Sequence, residues 1–235
     1  MTYSRELNER SPLRVFERSI HGGLGEGNLG VVCAAPGVGK SAFLVGVALD
    51  YLMRERQVLH IAQDQPVDRI RNYYDEIFVE LARSEELEDA AEVRLKIERN
   101  RRIHTYQENT LSLEGLEKTL NFFRDHTGMD PAMMILDGYD WEKGSASDLE
   151  ALKKIARDQE SELWMSARTP RSRETDHPDG YPEPVARYEF LIDVMVQLTT
   201  SDGTVHLKLL KDHDNPKPGS VALDLDPTTL LLVRR

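Results

Sequence analysis

The stretch LGVVCAAPGVGKSAFLVGVALDYLMRER, from Leu29 to Arg56, constrains the fold more than any other part of the chain. Leu29 to Ala35 is a short unbroken apolar run, the pattern of a strand covered on both faces. Pro36, Gly37 and Gly39 interrupt it at once. From Lys40 onward Phe43, Leu44, Val47, Ala48, Tyr51 and Leu52 recur every three or four residues, which is the spacing of an amphipathic helix. The turn between them, Ala34 to Ser41, fits GxxxxGK[ST] with alanine in place of the first glycine. In such a turn the N–H groups of Gly37, Val38, Gly39 and Lys40, aided by the positive end of the helix, wrap a phosphate. The lysine neutralises the outer phosphate oxygens and the serine hydroxyl ligates Mg²⁺. Ala35, Pro36, Gly37, Val38, Gly39, Lys40, Ser41 and Ala42 are therefore the expected contacts of a nucleotide, ATP or ADP, with Ser41 an expected ligand of Mg²⁺.

The strand and helix pattern repeats along the chain. Gln57 to Ala62 reads as a strand, and Pro66 with Asp68 opens a helix carrying Ile70, Tyr73, Tyr74, Ile77, Phe78 and Leu81. Residues 83–102 are dense in both charge signs, the composition of a solvated helical excursion. Arg102 to Tyr106, Ala132 to Asp137 and Glu162 to Ala167 are further short strands, with helices after Ser112 and from Ser147 to Gln159. Residues 168–184 are polar and rich in Pro and Gly, as in a long mobile loop. The tail holds FLIDVMVQLTT, TVHLKLLK and SVALDLD, three strand-like runs joined by Asp-Gly and by NPKPG, which predict antiparallel hairpins. The fold class is thus α/β: a mostly parallel twisted sheet flanked by helices, ending in hairpins, in one domain over 1–235 with residues 1–20 as a lead-in segment.

Composition narrows the function classes. Hydrophobic residues make up 40% and charged residues 30%, a globular balance that sets disorder aside. The 30 Lys+Arg against 41 Asp+Glu give a net charge of -11, which opposes sequence-blind binding to phosphate backbones, so nucleic acid is not an expected partner. Cys33 is the single cysteine and reads as a reduced core thiol. No apolar stretch reaches the roughly 18 residues of a membrane span, and the N-terminus has no apolar h-region; the expectation is a cytoplasmic protein without membrane insertion. His21, His60, His104, His126 and His177 show no metal-ligand spacing, and Trp141 and Trp164 read as packing residues.

A second motif supports the first. Met133 to Leu136 are four apolar residues ending in Asp137, a carboxylate at the tip of a buried strand, which next to the glycine turn would join the Mg²⁺ shell of Ser41. The other reading is an ordinary Asp137-Gly138 turn. Asp140 is a reserve candidate for polarising water.

SPLRVFERSIHGGLGEGNLGVVCAAPGVGKS (Ser11 to Ser41) and KLLKDHDNPKPGSVALDLDPTTLLL (Lys208 to Leu232) carry a wider likeness. Over nearly its whole length the chain resembles the RecA-like ATPases of the replicative-helicase (DnaB-type) and circadian-clock (KaiC-type) kind. The resemblance implies a catalytic carboxylate at the end of the strand after the glycine-turn helix, where Asp64 stands in place of glutamate. A polar residue preparing the next helix is the equal alternative. It also implies a Lys-x-Arg pair reaching a neighbour's nucleotide, here Lys211-Asp212-His213, with a solvated hairpin tip as the alternative; histidine lacks the permanently charged fork of arginine. Arg168 falls near the family's polar sensor, and Arg171 and Arg173 follow it, offset by Glu174, Asp176 and Asp179. The implied function is ATP binding with slow hydrolysis in a switch or motor that works through a homo-oligomer or a protein partner. A non-hydrolysing nucleotide-binding scaffold is the alternative, and a single-stranded DNA helicase or recombinase ranks last.

Overall fold

A computed structural model describes residues 12–107, 110–170 and 179–235. These residues build one nine-stranded sheet in the order β3-β2-β4-β5-β1-β6-β7-β8-β9. Its parallel part comprises β1 (Leu29–Ala34), β2 (Val58–Gln63), β3 (Arg101–Tyr106), β4 (Met133–Asp137), β5 (Glu162–Arg168) and β6 (Val194–Ser201). Then β7 (Thr204–Asp212), β8 (Leu223–Leu225) and β9 (Leu232–Arg234) continue it antiparallel.

β1 is buried along its whole length because it has neighbours in the sheet and a core on each face. Val32 and Ala34 join one apolar cluster, and Leu29, Val31 and Cys33 join the other. Burial pushes the Cys33 thiol up to about 12, which fits an inert core thiol. A Cβ on Gly30 would lie 2.6–2.8 Å from ring atoms of Trp164 on β5, so this glycine makes room for the indole of its sheet neighbour.

On the first face lie α1 (Pro12–Ser19), α2 (Lys40–Met53), α3 (Val67–Ser84) and α4 (Ala90–Asn100). Phe16 of α1 meets Phe43 of α2 edge-on at 5.3 Å. On the second lie α5 (Leu113–Thr127), α6 (Ala146–Asp158) and a 3₁₀ helix (Val185–Leu191). Ser112 caps α5 by accepting from the Gly115 N–H at 3.1 Å, and Ser145 with Asp148 forms a capping box on α6.

The structure amends three expectations. The charged segment 83–102 has a packed side: Ile97 is buried, Leu87, Ala90 and Val93 lie against the core, and Arg101 begins β3 with its guanidinium 4.6 Å over the Tyr74 ring. The end of the expected mobile loop is also packed, with Tyr181, Pro182 and Pro184 buried, while residues 171–178 lie outside the described set. In the tail, the first run pairs parallel with β1 as well as antiparallel with β7, and β9 is an additional strand. The Asp-Gly signal holds: Asp202 and Gly203 take left-handed φ values of 52° and 78° between β6 and β7. No helix among the described residues is long and apolar enough to cross a membrane.

Candidate nucleotide site

β1 ends at Ala34, and the chain turns into α2 through Gly37 (φ 81°) and Gly39 (φ 117°), both in the region that favours glycine. α2 begins at Lys40 with no side-chain cap and no acidic residue in its first turn. Unlike α5 and α6, it leaves its first-turn N–H groups to an outside acceptor, and the helix dipole favours an anion there. Leu225 of β8 backs the turn: a Cβ on Gly39 would fall 2.4 Å from its Cδ2.

The Lys40 ammonium donates to the carbonyls of Ala34 (2.9 Å) and Ala35 (3.1 Å), two of its three donors. Burial pulls its pKa below the ordinary value, with Asp137 opposing and Arg168 adding to the shift. A partly desolvated ammonium of this kind gains from an anion brought beside it. Arg168 is near enough to matter because it stands in register with Ala34 across β1 and β5.

Asp137, 4% exposed at the end of β4, uses both carboxylate oxygens. Oδ1 accepts from the Ser166 hydroxyl at 2.6 Å and Oδ2 from the Ser41 hydroxyl at 2.7 Å. Gln65 Nε2 lies 3.4 Å from Oδ2, and the Gly138 N–H donates to Ser166 Oγ at 3.0 Å. The chain does turn at Gly138 (φ 95°), but the carboxylate is committed to Ser41 and Ser166. Hydroxyl and carboxylate oxygens at this spacing form a hard donor set suited to Mg²⁺, so the residues present fit that ion. The site occupies the crevice beyond the C-terminal ends of β1 and β4, the usual ligand position of an open parallel sheet.

The remaining expected residues fall in several places. Asp64 follows β2 in a left-handed conformation (φ 54°), its N–H donating to the Tyr106 carbonyl at 3.0 Å and its side chain exposed. Its neighbour Gln65 is the residue that reaches Asp137. Asp140 accepts from the N–H groups of Glu142 (3.1 Å) and Lys143 (3.3 Å), the arrangement of a turn. Lys211 pairs with Met195, itself paired with Val31, and its ammonium donates to the Glu189 carbonyl at 2.6 Å. His213 is also engaged, with Nδ1 2.8 Å from Asp212 Oδ1 and Nε2 3.0 Å from the Leu24 carbonyl, so neither residue is a free hairpin tip. Both lie toward the start of β1, away from the glycine turn within one chain. Ser166 and Gln65 were not among the expected site residues. A hydroxyl inside the apolar run ELWMSA is the signal that marks Ser166; Gln65 carries none.

No family model matches the sequence, and no curated protein matches it. Among solved structures the chain is similar to the ATPase domain of a DnaB-type helicase, with a TM-score of 0.66 and 17% identity, covering 94% of this chain and 88% of that one. The fold is RecA-like. At this identity the likeness concerns the backbone arrangement, and the chemistry rests on the side chains described above.

Proposed function

We propose that the chain binds ATP or ADP with Mg²⁺ at residues 34–42 and hydrolyses ATP slowly, as a nucleotide-dependent switch or motor acting through a second subunit or another protein. The observation that carries this reading is the 2.7 Å hydrogen bond between Ser41 and Asp137, which joins the glycine turn to a buried strand-end carboxylate. In the proposed site the N–H groups of Gly37 to Lys40 hold the β-phosphate, and Lys40 exchanges the Ala34 and Ala35 carbonyls for phosphate oxygens. Ser166 fixes Asp137 by its other oxygen, so the carboxylate needs no reorganisation on binding. Magnesium, when bound, neutralises phosphate charge. Arg168 adds positive charge from the tip of β5. Asp64 or Gln65, at the end of β2, would orient the attacking water. Aspartate is one methylene shorter than glutamate, and a misplacement of about 1 Å can cost on the order of 100-fold, which makes turnover slow. Lys211 would act on the nucleotide of an adjoining subunit after releasing Glu189.

A specific observation favours the second reading, a scaffold that holds nucleotide without turning it over. Lys211 and His213 are both occupied by contacts within their own chain. The test is Mg-ATP binding and turnover by the wild type and Lys40→Ala over a range of protein concentrations, with light scattering on the same samples. Loss of nucleotide binding in Lys40→Ala is expected, and an unchanged variant refutes the site. Turnover that rises with assembly supports the switch or motor; tight binding without turnover in a persistent monomer supports the scaffold.

A further inference from the structure

Among the described residues, His21, Asp212 and His213 bring one candidate ligand atom each within 4.8 Å of one another. They lie far apart in the sequence. His21 follows α1, whereas Asp212 ends β7 and His213 comes directly after it. Asp212 is 2% exposed and each of its oxygens faces an imidazole: His21 Nδ1 is 2.5 Å from Oδ2 and His213 Nδ1 is 2.8 Å from Oδ1.

The orientation of His213 gives the cluster its chemical meaning. Its Nε2 lies 3.0 Å from the Leu24 carbonyl, and a carbonyl can only accept, so Nε2 carries a hydrogen. In the neutral ring Nδ1 is then a lone pair aimed at a carboxylate oxygen. Two electron-rich atoms at that distance need a cation between them, a proton or a metal ion, and His21 repeats the arrangement on the other oxygen. A ring nitrogen fixed by a backbone carbonyl while its partner nitrogen faces a carboxylate is the common orientation of a metal-binding histidine. Asp212, Glu162 and Asp214 all border one hollow of about 780 Å³ with His21, His213 and Asn28. Even with both imidazoles protonated, these three carboxylates leave the hollow negative and open to an arriving dication.

We propose that His21, Asp212 and His213 bind a divalent first-row transition metal ion such as Zn²⁺, with water from the hollow completing its coordination. Two imidazoles and one carboxylate suit Zn²⁺ and its neighbours, in contrast to the all-oxygen set of Ser41 and Asp137. Donors placed at about 2.1 Å around a tetrahedral ion stand roughly 3.4 Å apart. The present contacts therefore open by less than about 1 Å on binding, a movement available to His21, whose side chain is 76% exposed. The site is separate from the glycine turn. Asp212 pairs with Val194 and Val194 with Gly30, four residues before Ala34, so along β1 the two sites are roughly 13 Å apart. A metal here would staple the segment after α1 to the end of β7.

The experiment uses the untagged, chelator-stripped full chain, titrated with ZnCl₂ against a chromophoric chelator, and with CoCl₂ by visible absorption. One equivalent of Zn²⁺ is expected, with at least a tenfold weaker affinity in His21→Ala and in His213→Ala. Loss of the tetrahedral cobalt bands and of the Zn²⁺-induced rise in Tm should accompany it. His21→Ala, an exposed substitution, should keep the far-UV circular dichroism and the nucleotide affinity of the wild type. Absence of stoichiometric Zn²⁺ binding, binding undiminished in both variants, or displacement of Zn²⁺ by millimolar Mg²⁺ would overturn the proposal.

Discussion

Gly37 and Gly39 sit two positions apart in the same turn, yet alanine should cost very different amounts at each. Both have positive φ, 81° and 117°, so either substitution carries a backbone strain of about 1–2 kcal/mol. A methyl on Gly37 meets nothing within 4 Å, whereas on Gly39 it falls 2.4 Å from Leu225 Cδ2. Leu225 must then retreat by more than about 1 Å to reach ordinary carbon contact, and it is 1% exposed in β8 with little room behind it. Overpacking of this kind costs about 1–3 kcal/mol, which is the expected difference between Gly39→Ala and Gly37→Ala. For a domain of this length each kcal/mol lowers Tm by about 2–4 °C, well within the reach of calorimetry or a urea titration. Leu225→Ala provides the control. Alone it opens a cavity and costs about 2–5 kcal/mol, but combined with Gly39→Ala it removes the collision. The double variant should therefore be more stable than additivity predicts by about 1–3 kcal/mol. Equal effects of the two glycine substitutions, together with strict additivity at 39 and 225, would refute this account of how β8 supports the turn.

His60 is 1% exposed, with Nδ1 3.1 Å from the Tyr74 hydroxyl; burial drives its pKa down to about 4, with Asp137 opposing and Arg101 reinforcing the shift. The unfolded chain takes up this proton near 6.5, so the stability held above that pH falls as pH drops toward 4, by up to roughly 3 kcal/mol. His60→Gln should flatten that part of the profile in urea midpoints compared at pH 7, 5.5 and 4.5, and parallel profiles would contradict it. Ser145→Ala removes the capping box of α6 and should cost about 1 kcal/mol by the same measurement; no loss would mean that the cap is redundant. If the short carboxylate of Asp64 limits hydrolysis, Asp64→Glu should raise single-turnover rates, by up to about 100-fold. An unchanged or lower rate would assign the water-ordering role elsewhere, with Gln65 the nearest alternative.

The strand, turn and helix around Lys40 were legible because three local signals agree there: an unbroken apolar run, glycines at the turn, and a helical period directly after it. Asp137 was legible for a similar reason, as a charge ending a strand that is apolar elsewhere. Contacts set by sheet order were not legible. Ser166 supports Asp137 only because β5 lies beside β4, and His21 meets His213 only because β7 returns to the starting end of β1. The charged segment 83–102 misleads in a different way. Its ion pairs, such as Arg94 with Asp75 and Lys96 with Glu55, lie on the solvent side of a helix whose other side carries a sparse apolar stripe of Val93 and Ile97.

β1 has a consequence for how the protein is made. Its two sheet neighbours, β5 and β6, begin at Glu162 and Val194, so a growing chain presents a fully apolar strand with neither partner until most of its length has been synthesised. Such long-range pairing closes slowly and leaves unprotected edges while it waits, which makes partial chains the aggregation-prone species. The turn that follows β1 takes its shape only after both neighbours and Leu225 have arrived. A ligand bound there stabilises the completed chain alone and gives no help to a nascent fragment.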